Sequence, residues 1–355
     1  MPNALMTYSS MSAKIKAMKG RLLKKEDYEN IASMQSVKEF LAWLRATPSY
    51  EKVFERVPDA LHRGEIEKLL QLALYDDYAR IYTFAGPSQR TFLKVYFKRY
   101  EIQIIKAFLH LIFDHRDISF DTTLIPLHFS RQAAVDIHQL SQCRSLEQFL
   151  ETLKGSDYYP LLSPLKDIPQ ASLFDYELAL DVYFFRYLWK LKDKVLKSAE
   201  LKQISKIYGT QIDLLNILWI YRSKRFYKVD SAQMYTNLIP IHYRLTVPFI
   251  QRLIECETLL EYRELLGRSF YGRALNALSE SADSDEGLFL MYQRIMKKLH
   301  QTAARKYPYS LAVIDEYLYL REEEINRLTT AMECIRYGLD SSQILQHIHI
   351  GGEAL

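Results

Sequence analysis

Apolar side chains along this chain recur at intervals of three and four residues, which is the spacing of one face of an α-helix. In the stretch 65–84, for example, Ile66, Leu69 and Leu70 fall among polar residues at this spacing. No segment shows the sustained alternation of apolar and polar residues that marks a half-buried strand. The sequence therefore predicts an all-α protein built from amphipathic helices.

Three segments of similar pattern recur about 110 residues apart. They are SVKEFLAWLRATPSYEKVF from Ser36, SLEQFLETLKGSDYYPLLS from Ser145 and TLLEYRELLGRSFYGRALN from Thr258. Each begins S/T-x-x-E/Q, which predicts a capping box in which the N3 side chain reaches back to the amide of the cap. An aromatic residue and a leucine then follow one helical turn apart on the same face. A tyrosine lies near the end of each segment: Tyr50, Tyr158 or Tyr159, and Tyr271.

Two further motifs recur at about the same spacing as the capping segments. The helical segments around Ile102, Ile212 and Ile325 align with each other, and LIPLHF at 124–129 matches LIPIHY at 238–243. Prolines in the stretches 117–131 and 230–247 cannot continue a helix interior, so we place boundaries there. The sequence predicts three similar helical units, residues 1–120, 121–235 and 236–355.

Composition narrows the function. Glycine and proline number 11 each in 355 residues, too few for a protein rich in tight turns, and the net charge of +4 does not favour a nucleic-acid partner. The three cysteines form no C-x-x-C pair, which indicates a reducing compartment. The longest nearly apolar runs, 102–113 and 214–221, fall short of the roughly 20 residues of a membrane span.

Catalytic signatures are missing from the sequence. There is no phosphate-binding loop, no G-x-S-x-G elbow and no H-E-x-x-H, so we expect no catalytic residue, no cofactor and no metal. His347 and His349 form an H-x-H near the C-terminus, which we interpret as part of an ordinary tail. The acidic run Glu322–Glu324 is expected to form a solvated face, because three consecutive positions cannot share one face of a helix.

One polar pattern stands out on the helices around the three isoleucines. The positions one and four residues after each isoleucine are polar: Gln103 and Lys106, Asp213 and Asn216, Asn326 and Thr329. Each pair forms a short stripe, and buried polar groups need partners. Two interpretations remain open. The partners lie inside each unit, or the three helices face a common polar centre that receives another protein.

The chain resembles a known family. The segments 8–54, YFKRYEIQIIKAFL, LIPLHF with the following SLEQFLETLKGSDYY, IDLLNILWIYRSKRFY and EEEINRLTTAMECIRYGLDSSQIL resemble the C subunit of bacterial and archaeal A/V-type ATPases. They are also similar to the d subunit of the eukaryotic vacuolar proton pump. The motifs are degenerate helical patterns, and their order and spacing along nearly the whole chain carry the likeness.

The resemblance implies a mechanical role. Members of this family have three similar helical units around a pseudo-threefold axis, forming a funnel that joins the central shaft to the membrane rotor ring. It implies a non-catalytic subunit on the cytoplasmic face of the membrane, with the shaft subunits and the rotor ring as partners, and a monomer in isolation. Under this interpretation, the six polar residues are candidate contacts with the shaft. A helical-repeat scaffold for another partner and an α-helical enzyme are the alternatives.

Overall fold

The computed structural model describes residues 4–55, 57–58, 61–114, 132–227, 229–276 and 285–349. The described residues are helical or irregular and include no strand, in agreement with the predicted all-α class. None of their helices is long and apolar enough to cross a membrane. In chain order, the α-helices are α1 (Ala4–Lys19), α2 (Lys25–Ala32), α3 (Val37–Ala46), α4 (Glu51–Phe54), α5 (Arg63–Phe84), α6 (Pro87–Phe113), α7 (Ile137–Gln142), α8 (Leu146–Thr152), α9 (Tyr159–Leu162), α10 (Leu173–Val195), α11 (Ser198–Arg222), α12 (Ser231–Thr236), α13 (Val247–Glu255), α14 (Leu259–Gly267), α15 (Gly272–Asn276), α16 (Asp285–Lys306), α17 (Leu311–Arg336) and α18 (Ser341–His347).

The three predicted capping sequences begin helices α3, α8 and α14. The cap hydroxyls of Ser36, Ser145 and Thr258 accept hydrogen bonds from the N3 amides at 3.2, 3.3 and 3.1 Å, as expected. The reciprocal bond differs from the prediction, because each N3 side chain accepts from the amide one residue before the cap. The pairs are Gln35 with Glu39, Arg144 with Gln148, and Glu257 with Glu261. The bond therefore also holds the chain that enters each helix.

The predicted aromatic and leucine positions of these three helices form part of the core. The aromatic residues Phe40, Phe149 and Tyr262 are at most 1% exposed. The three leucines one turn later, at 44, 153 and 266, are fully buried. Burial of a large apolar side chain stabilises a fold by roughly 1.5–3 kcal/mol, so this shared pair anchors each helix to the core.

The described residues form two compact units. Unit 1 contains residues 4–86, 132 and 307–349, and unit 2 contains 87–114 and 133–306, apart from the residues not described. In unit 1, the long helix α17 packs on α5 and α1, and α18 packs on α2. In unit 2, α6 packs on α10 and α11 packs on α16.

This grouping differs from the three sequence repeats because the last long helix of one repeat packs on another repeat. Helix α6 of the first repeat lies on α10 of the second, α11 of the second lies on α16 of the third, and α17 of the third lies on α5 of the first. The division into units 1–120, 121–235 and 236–355 remains a prediction. The boundary stretch 117–131 and the motif at 124–129 lie outside the described residues.

Candidate functional site

A buried carboxylate recurs on the last long helix of each repeat. Glu101 on α6 and Asp213 on α11 are fully buried, and Glu324 on α17 is 3% exposed. Each carboxylate accepts a hydrogen bond from one of the tyrosines that the repeat pattern singled out: Tyr158 to Glu101 at 2.5 Å, Tyr271 to Asp213 at 2.8 Å, and Tyr50 to Glu324 at 2.7 Å. The partner in the second repeat is therefore Tyr158 and not Tyr159.

The same carboxylates also accept a backbone hydrogen bond from a recurring position. The donors are the amides of Leu23 to Glu324 at 2.6 Å, Ala134 to Glu101 at 2.5 Å, and Leu245 to Asp213 at 3.2 Å. Each donor lies shortly before the helix that precedes a capping-box helix, namely α2, α7 or α13. We call each carboxylate with its tyrosine and amide a carboxylate cluster. Each cluster fastens the last long helix of one repeat to two segments of another.

Burial fixes the protonation of the three tyrosines. Desolvation raises the pKa of Tyr50, Tyr158 and Tyr271 above its ordinary value, and the neighbouring carboxylate raises each of them further. The phenols therefore remain protonated and keep their proton to donate. Charge-assisted hydrogen bonds of this kind are stronger than bonds between neutral groups.

The Glu324 cluster in unit 1 contains a buried cation. The Arg321 guanidinium is 1% exposed, forms an ion pair with Glu324, and donates to the Tyr50 hydroxyl at 2.8 Å. Its Nε atom lies 3.0 Å from Asp77, which also accepts from the hydroxyl of Tyr317 at 2.8 Å. Burial raises the pKa of Glu324, and Arg321 opposes that shift.

The Glu101 cluster in unit 2 contains a lysine at the equivalent helix position. The Lys98 Nζ atom lies 3.1 Å from Glu101 and 4.7 Å from the centre of the Tyr158 ring. The side chain of Lys98 is 11% exposed and that of Glu101 is 1% exposed. The positive charge therefore lies between the carboxylate and an aromatic face, where both attract it.

The Asp213 cluster, also in unit 2, has a different composition. Thr210 stands at the helix position that Arg321 and Lys98 occupy in the other two, and no ion pair joins Asp213 to a described residue. Two further amides donate to Asp213 instead, those of Tyr243 at 3.2 Å and Arg244 at 2.7 Å. Burial raises the pKa of Asp213, and the bonds from these donors act in the opposite direction.

The six predicted polar residues fall into two groups. On α6, Gln103 is exposed and the half-buried Lys106 forms an ion pair with Asp181 at 2.7 Å. On α17, Asn326 is exposed and Thr329 is half-buried. These four side chains lie at or near the surfaces of their own compact units.

Asp213 and Asn216, in contrast, have no exposed surface. Asn216 donates to the Ile239 carbonyl at 3.0 Å and accepts from the Ile239 amide at 2.9 Å, so it holds the LIPIHY turn. Another protein could reach these two positions only if the surrounding turn opened. The partners of both residues lie in the third repeat, within the same compact unit 2, so these side chains join α11 to the next repeat and do not bond inside their own repeat.

The six residues differ in burial because the carboxylate and the isoleucine stand in a different register on α11 than on α6 and α17. Asp213 follows Ile212, whereas Glu101 and Glu324 precede Ile102 and Ile325. Aligning the carboxylates by their shared partners shifts α11 by two residues relative to the isoleucine alignment. Gln103 and Asn326 are therefore not the counterparts of Asp213, which explains why they are exposed.

The expectation of a solvated face at Glu322–Glu324 was wrong for Glu324, which is buried with Arg321, whereas Glu322 and Glu323 are half-buried. Sequence reasoning also missed Glu101. The available signal was an acidic residue on the same helix face as apolar residues one turn before and one turn after it, Phe97 and Ile105, where burial demands a partner. No group of three or more histidine, cysteine or acidic residues within the described ranges is placed to hold a metal ion.

The geometry of the carboxylate clusters is suited to holding packed helices rigidly together. Each carboxylate accepts from a buried tyrosine hydroxyl and from at least one backbone amide of the same compact unit, and a buried hydrogen-bonded network makes a core rigid and specific. Comparison with known proteins agrees with the sequence resemblance, since residues 11–347 match the family model for the ATP synthase (C/AC39) subunit. The chain belongs to the ATP synthase (C/AC39) subunit family.

Relatives in this family include the C subunit of the A-type ATP synthase of Methanothermobacter thermautotrophicus, which is 24% identical over 91% of this chain and 83% of its own length. The proteins of the same name from Methanobrevibacter smithii and Pyrococcus abyssi are 23% and 22% identical. Those matches cover 96% of this chain and 87% and 90% of the relatives. The likeness to the family therefore extends over nearly the whole chain.

Proposed function

We propose that this chain is a non-catalytic rotor subunit of an A/V-type ATPase, which joins the central shaft to the membrane rotor ring and transmits torque between them. Membership of the ATP synthase (C/AC39) subunit family supports assignment to such a complex. Its partners are the shaft subunits and the rotor ring, and it lies on the cytoplasmic face of the membrane. In isolation it is a monomer.

The recurrence of the carboxylate cluster is the observation that carries the mechanical part of this proposal. A torque coupler has to resist bending, and closely packed helices held by buried polar bonds transmit strain with little compliance. The clusters link the repeats in the order first to second, second to third and third to first. A cyclic order of this kind is what a funnel with a pseudo-threefold axis requires.

The contacts with the shaft are proposed for the accessible polar positions. Gln103 and Asn326 are exposed, and Lys106 and Thr329 are partly exposed, so these four side chains remain candidates. Polar groups let a socket stay hydrated before assembly and make hydrogen bonds afterwards. Asp213 and Asn216 are buried and bonded within compact unit 2, so they are not among the proposed contacts.

The test is quantitative capture of the complex. The tagged chain is isolated from gently solubilised native membranes, and the captured proteins are measured by mass spectrometry. We expect shaft, ring and catalytic ATPase subunits in fixed proportion. Recovery of the chain alone, or with unrelated cytosolic proteins, would contradict the proposal and favour the helical-repeat scaffold.

A matched pair of variants separates the shaft contact from general effects. Gln103→Glu and Gln103→Lys change the charge in opposite directions, so we expect them to shift the recovery of shaft subunits in opposite directions. Lys94→Gln is the control, because Lys94 is exposed on the same helix nine residues away, half a helical rotation around, and the change alters the net charge as Gln103→Glu does. Equal recovery with both Gln103 variants would remove this residue from the interface.

A further inference from the structure

The third repeat carries an exposed group of arginines around a phenylalanine. Phe270 is 63% exposed and lies between α14 and α15. The Arg244 guanidinium lies 5.0 Å from the centre of the Phe270 ring and 5.0 Å from that of the Tyr243 ring, so both rings contact the cation. Val247, three residues further along, is 46% exposed.

The turn beneath this group is tight. A side chain at Gly272 would collide with the carbonyl oxygen of Gly267, so the end of α14 and the start of α15 approach closely. Arg268 and Arg273 lie on either side of Phe270 in this turn, and both are exposed. We call Arg244, Val247, Arg268, Phe270 and Arg273 the arginine patch; all five belong to unit 2.

The arginines of the patch are available for binding. None of the three forms an ion pair or a side-chain hydrogen bond with a described residue. Stacking on the rings restricts the Arg244 side chain while leaving the N–H groups at its edge free. A guanidinium held in this way loses little further entropy when it binds a carboxylate through two parallel hydrogen bonds.

The two other repeats lack this chemistry at the same positions. The carboxylate clusters align Phe270 with Ser49 and Asp157, one residue before the cluster tyrosine in each case. In the same register, Arg244 corresponds to Leu22 and Ala133, and Val247 corresponds to Lys25 and Asp136. The shared local structure forms without an exposed phenylalanine or a stacked arginine, so the fold alone does not account for the patch.

We propose that the arginine patch binds an acidic segment of another protein that also carries an apolar side chain. Unpaired arginines attract carboxylates, and an exposed aromatic residue beside arginine is the composition typical of residues that dominate protein interfaces. A membrane surface is the weaker match, because interfacial helices present a broad apolar face and the patch presents two apolar side chains. This inference does not depend on the proposed torque role.

The test places a photoreactive side chain in the patch of the full-length protein in native membranes. Phe270→p-benzoylphenylalanine is irradiated, and the attached peptide is sequenced by mass spectrometry. We expect a protein segment with aspartate or glutamate beside the attachment point. The matched control is Asp157→p-benzoylphenylalanine, the exposed equivalent position in the second repeat, from which we expect no such adduct.

Charge-reversal variants then test whether the arginines of the patch bind the acidic residues of the partner. We expect Arg244→Glu, and separately Arg268→Glu with Arg273→Glu, to lower the adduct yield by about tenfold. Arg294→Glu, at an exposed residue of α16, makes the same charge change as Arg244→Glu and should leave the yield within about twofold. The two sets of patch variants keep the test valid if one of them fails to fold.

The absence of an adduct would overturn the proposal, and so would a partner segment without acidic residues. An adduct with a phospholipid, with a second copy of this chain or with its own residues 277–284 would overturn it as well. An acidic partner that belongs to no ATPase would support the patch and contradict the proposed function. An assembled ATPase without an adduct at Phe270 would support the proposed function and contradict the proposal for the arginine patch.

Discussion

The Glu324 cluster of unit 1 and the Asp213 cluster of unit 2 each contain a buried carboxylate bonded to a tyrosine and a backbone amide. The electrostatic environments of the two carboxylates differ. Glu324 lies against the guanidinium of Arg321, which also approaches Asp77 at 3.0 Å. Asp213 accepts three backbone hydrogen bonds and one from Tyr271, and it forms no ion pair with a described residue. The tyrosine and the amide recur, whereas the means of stabilising the negative charge does not.

The difference has an energetic consequence. A buried ion pair is sensitive to the loss of one partner, because the other charge is then left without compensation. A carboxylate held by amides depends on the position of the backbone that supplies them. Unit 1 should therefore be more sensitive to charge removal, and the Asp213 region to displacement of its turn.

The largest effect is expected from Glu324→Gln. The change leaves Arg321 buried with only Asp77 as an anionic partner, and breaking such a pair costs about 3–5 kcal/mol in the free energy of unfolding. Urea-induced unfolding measures it. Glu55→Gln, at an exposed residue of the same unit, is the control and should cost less than about 0.5 kcal/mol. Equal effects at the two positions would contradict the importance of the buried pair.

Removal of single tyrosine hydroxyls should destabilise the two clusters to different extents. Loss of a hydrogen bond to a charged group costs about 1.5–3 kcal/mol. We expect Tyr50→Phe near the upper end, because its hydroxyl also accepts from Arg321, and Tyr271→Phe near the lower end, because three amides still hold Asp213. The same unfolding measurement applies, and a larger loss for Tyr271→Phe would reverse the comparison.

Gly209→Ala tests the turn that supplies the amides to Asp213. A Cβ atom at Gly209 would lie 2.4 Å from the Tyr243 ring, so Tyr243 and its amide have to move. Overpacking of this kind costs about 1–3 kcal/mol. Gly64→Ala is the matched control, because no atom lies within 4 Å of its added Cβ, and it should be neutral or slightly stabilising. A neutral Gly209→Ala would show that the turn tolerates displacement.

The smallest effect is a change in pH dependence on Asp213→Asn. Because burial raises the pKa of Asp213 in the folded chain, its contribution to stability falls as pH rises from the unfolded value, about 3.9, through the folded pKa. The unfolding free energy of the wild type minus that of the variant should therefore be larger near pH 4 than near pH 8. A difference that rises with pH would contradict the assignment.

Local features of the fold could be predicted from the sequence because they depend on short-range spacing. The caps at Ser36, Ser145 and Thr258 and the buried leucines that follow them depend on positions within one helix, and the structure has them where the pattern placed them. The association of long helices across repeats depends on surfaces distant in the chain. Sequence similarity between repeats does not reveal which repeat each helix contacts.

The candidate site was less predictable. Apolar residues recur at every helical turn, so isoleucine was a weak marker of register and Asp213 was matched with Gln103 and Asn326. The partners of the carboxylates set the true register, and they include backbone amides, which leave no signal in side-chain identity. Burial of Glu324 depends on the contact with Tyr50, 274 residues away in the chain, which no local pattern reports.

The most direct test of the proposed coupling role measures ATP hydrolysis and ion-gradient formation together, in membranes that lack this chain and in the same membranes with the chain restored. Without the chain, we expect ATP to be hydrolysed with little or no gradient, and we expect restoration to return the ratio of gradient to hydrolysis to its normal value. An unchanged ratio in the absence of the chain would contradict the claim that it transmits torque between shaft and ring.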